Sequence, residues 1–179
     1  LALVVDGANG ALAGLGPRAL EELGANEVHK HIGRQQSGNA YSAMRLAEAN
    51  DDGLQLPHNP YINAGAIMSC SLVKPGLPQA DRFDYVMGIW AKLCGDKMPG
   101  FGNSTYLSEA ATADRNFCLG YMMKEKGAFP EGTNLIKTLN FYFMCCSIEC
   151  TCDMFSVVAG TLANGGVCPV TGERVFSAE

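Results

Sequence analysis

The sequence predicts a mainly α-helical chain within an α+β architecture, with short strands confined to its two ends. Three observations predict it. Apolar residues recur at helical spacing, most clearly at Phe83, Val86, Met87, Trp90, Leu93 and Cys94, which form one stripe of a 3.6-residue period. Helix-opening and helix-closing residues bracket the periodic runs, with Thr133 and Thr151 before them and Gly33 or Asn164-Gly165-Gly166 after them. Strand character is limited to Leu1–Val5 and to a turn-centred stretch from Val167 to Phe176. With 179 residues, 47% of them hydrophobic and 17% charged, the chain can build a sizeable core, which excludes a disordered or collagen-like polymer.

The elements follow in order. Leu1 to Val5 reads as a short buried strand, and Gly7 to Gly16 as a glycine-rich turn. Pro17, whose fixed φ suits the first helical position, opens a helix that closes near Ile32-Gly33. From Arg34 to Pro60 the chain is polar, and two prolines in Pro57-His58-Asn59-Pro60 keep its end from being helical. Asn63 to Val73 is expected to be a helix that Pro75 terminates, followed by the helix carrying the Phe83–Cys94 stripe. Met98 to Thr105 is expected to be a loop, and Ala111 to Lys126 a single helix. After a Thr133 cap, a helix should bury Leu135, Ile136, Leu139, Tyr142, Phe143 and Cys146. Thr151 caps the last helix, and Val167 to Phe176 should form a hairpin turning at Thr171-Gly172.

Charge and cysteine content narrow the function classes. A net charge of −5 argues against the basic face that nucleic acid requires. No apolar stretch is long enough to span a bilayer, so no membrane partner is expected. The first two-thirds of the eight cysteines sit in apolar helical patterns, so they read as buried, reduced thiols of an intracellular protein. Leu1 follows no basic segment, so a signal peptide is not expected, and Ser177-Ala178-Glu179 resembles the opening of a further helix.

Five local motifs have ordinary readings, the Glu109 and Asn116 pair as an exposed helix face. The glycine-rich turn after Val5 resembles a nucleotide-binding turn, but no acidic residue follows at the end of a second strand. Ser71-Leu72-Val73-Lys74 matches S-x-x-K, in which the lysine deprotonates a serine nucleophile. Its place against Pro75 favours a solvated helix terminus instead. Cys145-Cys146 and Cys150-x-Cys152 fall within one helix and its following turn, too crowded for a zinc site, so no metal is expected. His29 and His31 are two apart on a helix and share no face. Glu109 and Asn116, seven apart, would lie two turns apart on one helix face, where a carboxylate and a carboxamide suit an ammonium group.

Longer stretches carry a family resemblance. Pro57-His58-Asn59-Pro60-Tyr61-Ile62-Asn63-Ala64-Gly65-Ala66 resembles the P-x-N-P-x-x-N-A-G-A segment of the serine-type glutaminases. Ser108-Glu109, Asp114-Arg115-Asn116, Phe141-Tyr142-Phe143-x-x-Cys146-Ser147 and Thr161-Leu162-Ala163-Asn164-Gly165-Gly166 follow in that family's order. Phe129-Pro130-Glu131-Gly132-Thr133 and Cys168-Pro169-x-Thr171-Gly172-Glu173-Arg174-Val175 are most similar to the animal kidney-type enzymes.

The resemblance implies the helical subdomain of a β-lactamase/transpeptidase-like fold. It divides the chain into an atypical segment, 1–19, and a partial glutaminase domain, 20–179. It implies hydrolysis of L-glutamine to L-glutamate and ammonia by a serine nucleophile, without metal or organic cofactor. The intact family member would be a homo-oligomer in the cytoplasm or mitochondrial matrix. Asn63, Glu109, Asn116 and Tyr142 would line the glutamine pocket, with Tyr142 also catalytic, its phenol near the reacting serine. One departure stands out. Counting back from Gly24, Asn9 and Leu12 occupy the places of the family's catalytic Ser and Lys. The chain is therefore expected to be catalytically incomplete, with a non-catalytic glutamine-binding or oligomer-forming homologue as the alternative.

Overall fold

The structure, a computed structural model, describes Pro57 and residues 62–177. The expected first strand, the glycine-rich turn, the Pro17 helix with His29 and His31, and positions Asn9 and Leu12 lie outside the described residues.

Six helices and two short strands make up the described part. Helix α1 is Asn63–Leu72, α2 Gln79–Leu93, strand β1 Gly100–Phe101, α3 Asn103–Ala111, α4 Asp114–Glu125, α5 Leu135–Cys146, β2 Ile148–Glu149 and α6 Cys152–Ala163. Helix α5 is the hub, packing against α1, α2, α3 and α4, while α2 also meets α6. Its sequence explains that position. Leu139, Phe141 and Phe143 are fully buried, with Tyr142 and Cys146 nearly so; each large apolar side chain so buried contributes about 1.5–3 kcal/mol. The core has two lobes. One gathers α1, α2 and α6 side chains such as Met68, Trp90 and Val158, and the other sets Ile67 and Ala113 against Leu139 and Phe143.

Arg82 joins α1 to α2. It falls four residues before Val86 on the buried face of α2, at only 7% exposure. Its Nε donates to the Val73 carbonyl at 2.8 Å and its Nη2 to the Cys70 carbonyl at 2.5 Å. The guanidinium also stacks over the Phe141 ring, 4.1 Å from its centroid. It thereby satisfies carbonyls that the end of α1 leaves without intrahelical partners.

Several expectations are corrected. The Met98–Thr105 loop contains β1 and the start of α3. Gly100 and Phe101 pair antiparallel with Glu149 and Ile148, so these strands lie in mid-chain rather than at the ends, and two residues are too few to show a period. The single helix expected over Ala111–Lys126 is two, because both the Thr112 amide and its hydroxyl bond to the Ser108 carbonyl, at 3.1 and 2.9 Å, and close α3. Asn134, not Thr133, caps α5, with its Oδ1 accepting from the Lys137 amide at 3.0 Å; the Thr133 hydroxyl donates to the Pro130 carbonyl. Ile136 is 45% exposed. It shares a helix face with Phe143, but in the first turn, and helical spacing gives a direction without saying how far along the axis the neighbours reach.

Other elements agree with their sequence signals. Thr151 Oγ1 accepts from the Met154 amide at 3.2 Å, capping α6. Gly165 and Gly166 take positive φ after Asn164. The Val167–Phe176 hairpin turns at Thr171-Gly172, with Gly172 at φ +75° and one antiparallel bridge from Val167 to Arg174. All eight cysteines are free thiols, but Cys118 and Cys152 are exposed rather than buried. No helix among the described residues is long and apolar enough to cross a membrane.

Candidate functional site

Helices α1 and α4 begin side by side. Ile62 precedes α1 without a side-chain cap, and no acidic residue stands in the first turn, so the N-terminal amides and dipole of α1 have no anionic neighbour in that turn. Asn63 is the first residue of α1 and Asn116 lies in the first turn of α4. Although 53 positions apart, they meet: Asn63 Nδ2 donates to Asn116 Oδ1 at 2.9 Å. The other half of the Asn63 amide, Oδ1, is buried with no hydrogen-bond partner among the described residues. A buried acceptor left open costs about 1–3 kcal/mol. It is therefore a place where a donor from a bound molecule gains more than the usual net hydrogen bond.

The floor under this pair is apolar and aromatic. Ala66 and Ile67 of α1, Ala113 before α4, and Tyr142, Phe143 and Cys146 of α5 form one buried cluster. Tyr142 is 4% exposed, its ring 5.8 Å from Phe143, and Phe117 of α4 tilts against Phe143 at 6.0 Å. The phenol is thus fixed by packing within the lobe that carries the two asparagines.

Glu109 stands in the last turn of α3, half-buried, next to Ala110, which packs on the same cluster. The break at Thr112 removes the expected single helix face shared by Glu109 and Asn116. They come from two helices, and Asn116 pairs with Asn63 instead. Among the described residues Glu109 makes no hydrogen bond or ion pair, which leaves its carboxylate open to a cationic ligand.

The Ser71-x-x-Lys74 motif is buried at its serine rather than solvated. Ser71 is 4% exposed and its Oγ donates to the Met68 carbonyl at 2.6 Å. Lys74 has φ +42° and holds its ammonium 5.1 Å from the Tyr85 ring centroid. The reason is local: α1 ends at Leu72, so Lys74 is off the helix and does not return to Ser71 one turn back. No group of three or more His, Cys, Asp or Glu among the described residues is arranged to hold a metal.

Two features were not anticipated from the sequence. The Asn63–Asn116 bond joins two helix starts and has no local pattern. Arg82 did have one, since it continues the buried spacing of Val86, Trp90 and Leu93, and a charge on a buried stripe marks a special site.

Residues 17–179 match the family profile described as Glutaminase. The chain is 46% identical over 161 residues to the mitochondrial liver isoform of glutaminase from Rattus norvegicus, covering 90% of this chain and 26% of that protein. It is 48% identical over 153 residues to putative glutaminase 2 of Caenorhabditis elegans, covering 85% of this chain and 24% of that protein. A crystal structure of a Bacillus glutaminase superposes with a TM-score of 0.75 at 28% identity, covering 90% of this chain and 54% of the other. The chain thus spans about a quarter of the length of the animal relatives it matches.

Proposed function

The chain belongs to the glutaminase family, and from that premise we propose that it builds the substrate-recognition wall of an amidohydrolase site converting L-glutamine and water to L-glutamate and ammonia. The observation that carries this reading is the Asn63–Asn116 pair with its open, buried Asn63 Oδ1. An α-ammonium or amide N–H of glutamine supplies the missing donor. Glu109, without a partner among the described residues, supplies the countercharge for the ammonium. A site built to hydrogen-bond such a head group rejects analogues lacking it by large factors, because its buried polar groups are then left unpaired.

Tyr142 completes the assignment. Its packing by Phe143 and Ile67 holds the phenol in one orientation, suited to positioning a nucleophile's oxygen or relaying a proton to the departing ammonia. The nucleophile itself is not Ser71, whose hydroxyl is committed to the Met68 carbonyl and has no base at hand. Asn9 and Leu12, where the family's Ser and Lys are expected by counting, offer neither a nucleophile nor a base. That substitution favours a second reading, a homologue that binds glutamine without turning it over. Association of copies in the whole protein is consistent with Tyr121 and Met122, which α4 leaves exposed. The free thiols suit a reducing compartment, the cytoplasm or the mitochondrial matrix.

Calorimetric titration of the 179-residue chain with L-glutamine tests the pocket. Saturable binding is expected, weakened by roughly tenfold or more in Asn63→Ala, which removes the open acceptor. Undiminished affinity in both Asn63→Ala and Glu109→Gln would overturn the assignment.

A further inference from the structure

Cys70 and Cys145 meet where α1 packs on α5, although 75 positions separate them in the sequence. Two contacts that involve neither sulfur bring them together. The Cys70 carbonyl accepts from Arg82 Nη2, and the same guanidinium lies over the Phe141 ring. Cys145 is four residues beyond Phe141 in α5, so it stands one turn further along that helix face. Arg82 thus holds the end of α1 against this face, and both sulfurs lie close enough to act on its charge.

The two thiols share a hydrogen bond. That bond, then burial, holds the Cys145 thiol well above its ordinary value, while the Arg82 guanidinium pulls the other way.

Exposure separates this pair from a second one. Cys94 and Cys150 also share a hydrogen bond, but at 0% and 5% exposure they are closed to solvent. Cys70 and Cys145 sit at the edge of the core and are both partly exposed. Neighbouring thiols within reach of a small oxidant are the arrangement in which a sulfenic acid is captured by a second cysteine.

We propose that Cys70 and Cys145 form a redox-modification site, closing to a disulfide between α1 and α5 when a peroxide reaches them. Cys145 keeps its proton, so the Cys70 thiolate attacks one oxygen of hydrogen peroxide. The O–O bond breaks, Cys70 becomes a sulfenic acid, and the departing hydroxide takes up the proton that Cys70 released. The Cys145 sulfur then attacks the Cys70 sulfur, and the displaced hydroxyl leaves as water with the Cys145 proton. Two thiols and one peroxide give one disulfide and two waters, with two electrons passing from the sulfurs to the peroxide oxygens. A small dithiol such as dithiothreitol reverses the closure by thiol–disulfide exchange. The bond would tie the helix that begins at Asn63 to the helix that carries Tyr142.

The reduced 179-residue chain, kept dilute and treated with a small molar excess of hydrogen peroxide, tests this. Remaining thiols are blocked, and the chain is digested and mapped by mass spectrometry without reductant. Cys118 and Cys152 are exposed, so the Cys118→Ser/Cys152→Ser chain is treated in parallel to remove links between copies. An intramolecular Cys70–Cys145 bridge is expected in most molecules of both chains, lost on adding dithiothreitol, while Cys94 and Cys150 stay reduced. Cys70→Ser and Cys145→Ser should each abolish the bridge. Cys70 and Cys145 still reduced, or either joined to another cysteine such as Cys146, would overturn the proposal. Oxidation of Cys94 and Cys150 at the same rate would do so too, because exposure would then select nothing.

Discussion

Asn63 holds one half of its amide against Asn116 and leaves the other half buried and open. Neither residue type is diagnostic alone; the pairing gives the open oxygen its meaning, because Asn116 fixes which end of the amide is left open. Single residues also divide the thiols. Burial, then the neighbouring Cys150 and Cys168, push the Cys94 thiol up to about 12 from an ordinary 9.0. A raised pKa means that the folded state favours the neutral thiol. Its stabilisation is complete below pH 9, where the unfolded chain also keeps the proton, and is lost as pH rises from about 9 towards 12. Denaturation midpoints should therefore fall across that alkaline window, and Cys94→Ala should flatten the decline. At pH 8 in the folded chain, a thiol reagent should label the exposed Cys118 and Cys152 rapidly and Cys94 and Cys150 slowly. Equal labelling rates would refute the burial-based ranking.

Whole elements begin and end on a few backbone groups. Thr112 closes α3 with two bonds to one carbonyl, and this break carries Glu109 and Asn116 on separate helices. Thr151 and Asn134 open α6 and α5 with ordinary caps. The end of α6 is more demanding. Gly166 has φ +83°, and a Cβ built there would meet the Phe176 carbonyl oxygen at 2.3 Å. The Val175 and Phe176 amides both bond to the Gly166 carbonyl, so the hairpin folds back on the glycine itself. Gly166→Ala is expected to destabilise the chain by roughly 2 kcal/mol or more, through strained φ and backbone overlap. Thr151→Ala, which removes one cap, should cost about 1 kcal/mol. Urea denaturation of both variants checks the order; equal midpoints would mean that the hairpin is not held against α6 in this way.

At the scale of the whole molecule, α5 decides where the site sits. By packing against α1, α3 and α4 at once, it brings the starts of α1 and α4 together above Tyr142. The residues proposed for recognition lie on these helices, whereas the Ser71 hydroxyl is committed to the Met68 carbonyl. Glutamate release by the 179-residue chain should fall short of an intact glutaminase by several orders of magnitude; loss of a serine nucleophile has cost on the order of 10⁶ in a protease. Ser71→Ala should leave that residual rate unchanged, because its hydroxyl serves the end of α1. Full turnover abolished by Ser71→Ala would refute both statements.

The sequence by itself determined the helical class, the stripe of α2, the Thr151 cap and the Gly165-Gly166 stop, because each depends on neighbours within a turn or two. Its ordered motifs also identified the family and named the four residues proposed to line the pocket. Tertiary structure alone decided the rest. It paired Phe101 with Ile148 across 47 positions and turned Ile136 outward, whereas the break at Thr112 and the Asn134 cap rest on short-range bonds to Ser108 and Lys137. It also buried Arg82 and Ser71 and joined Asn63 to Asn116. These outcomes depend on which surfaces meet in space, and helical periodicity specifies a face without specifying its partner.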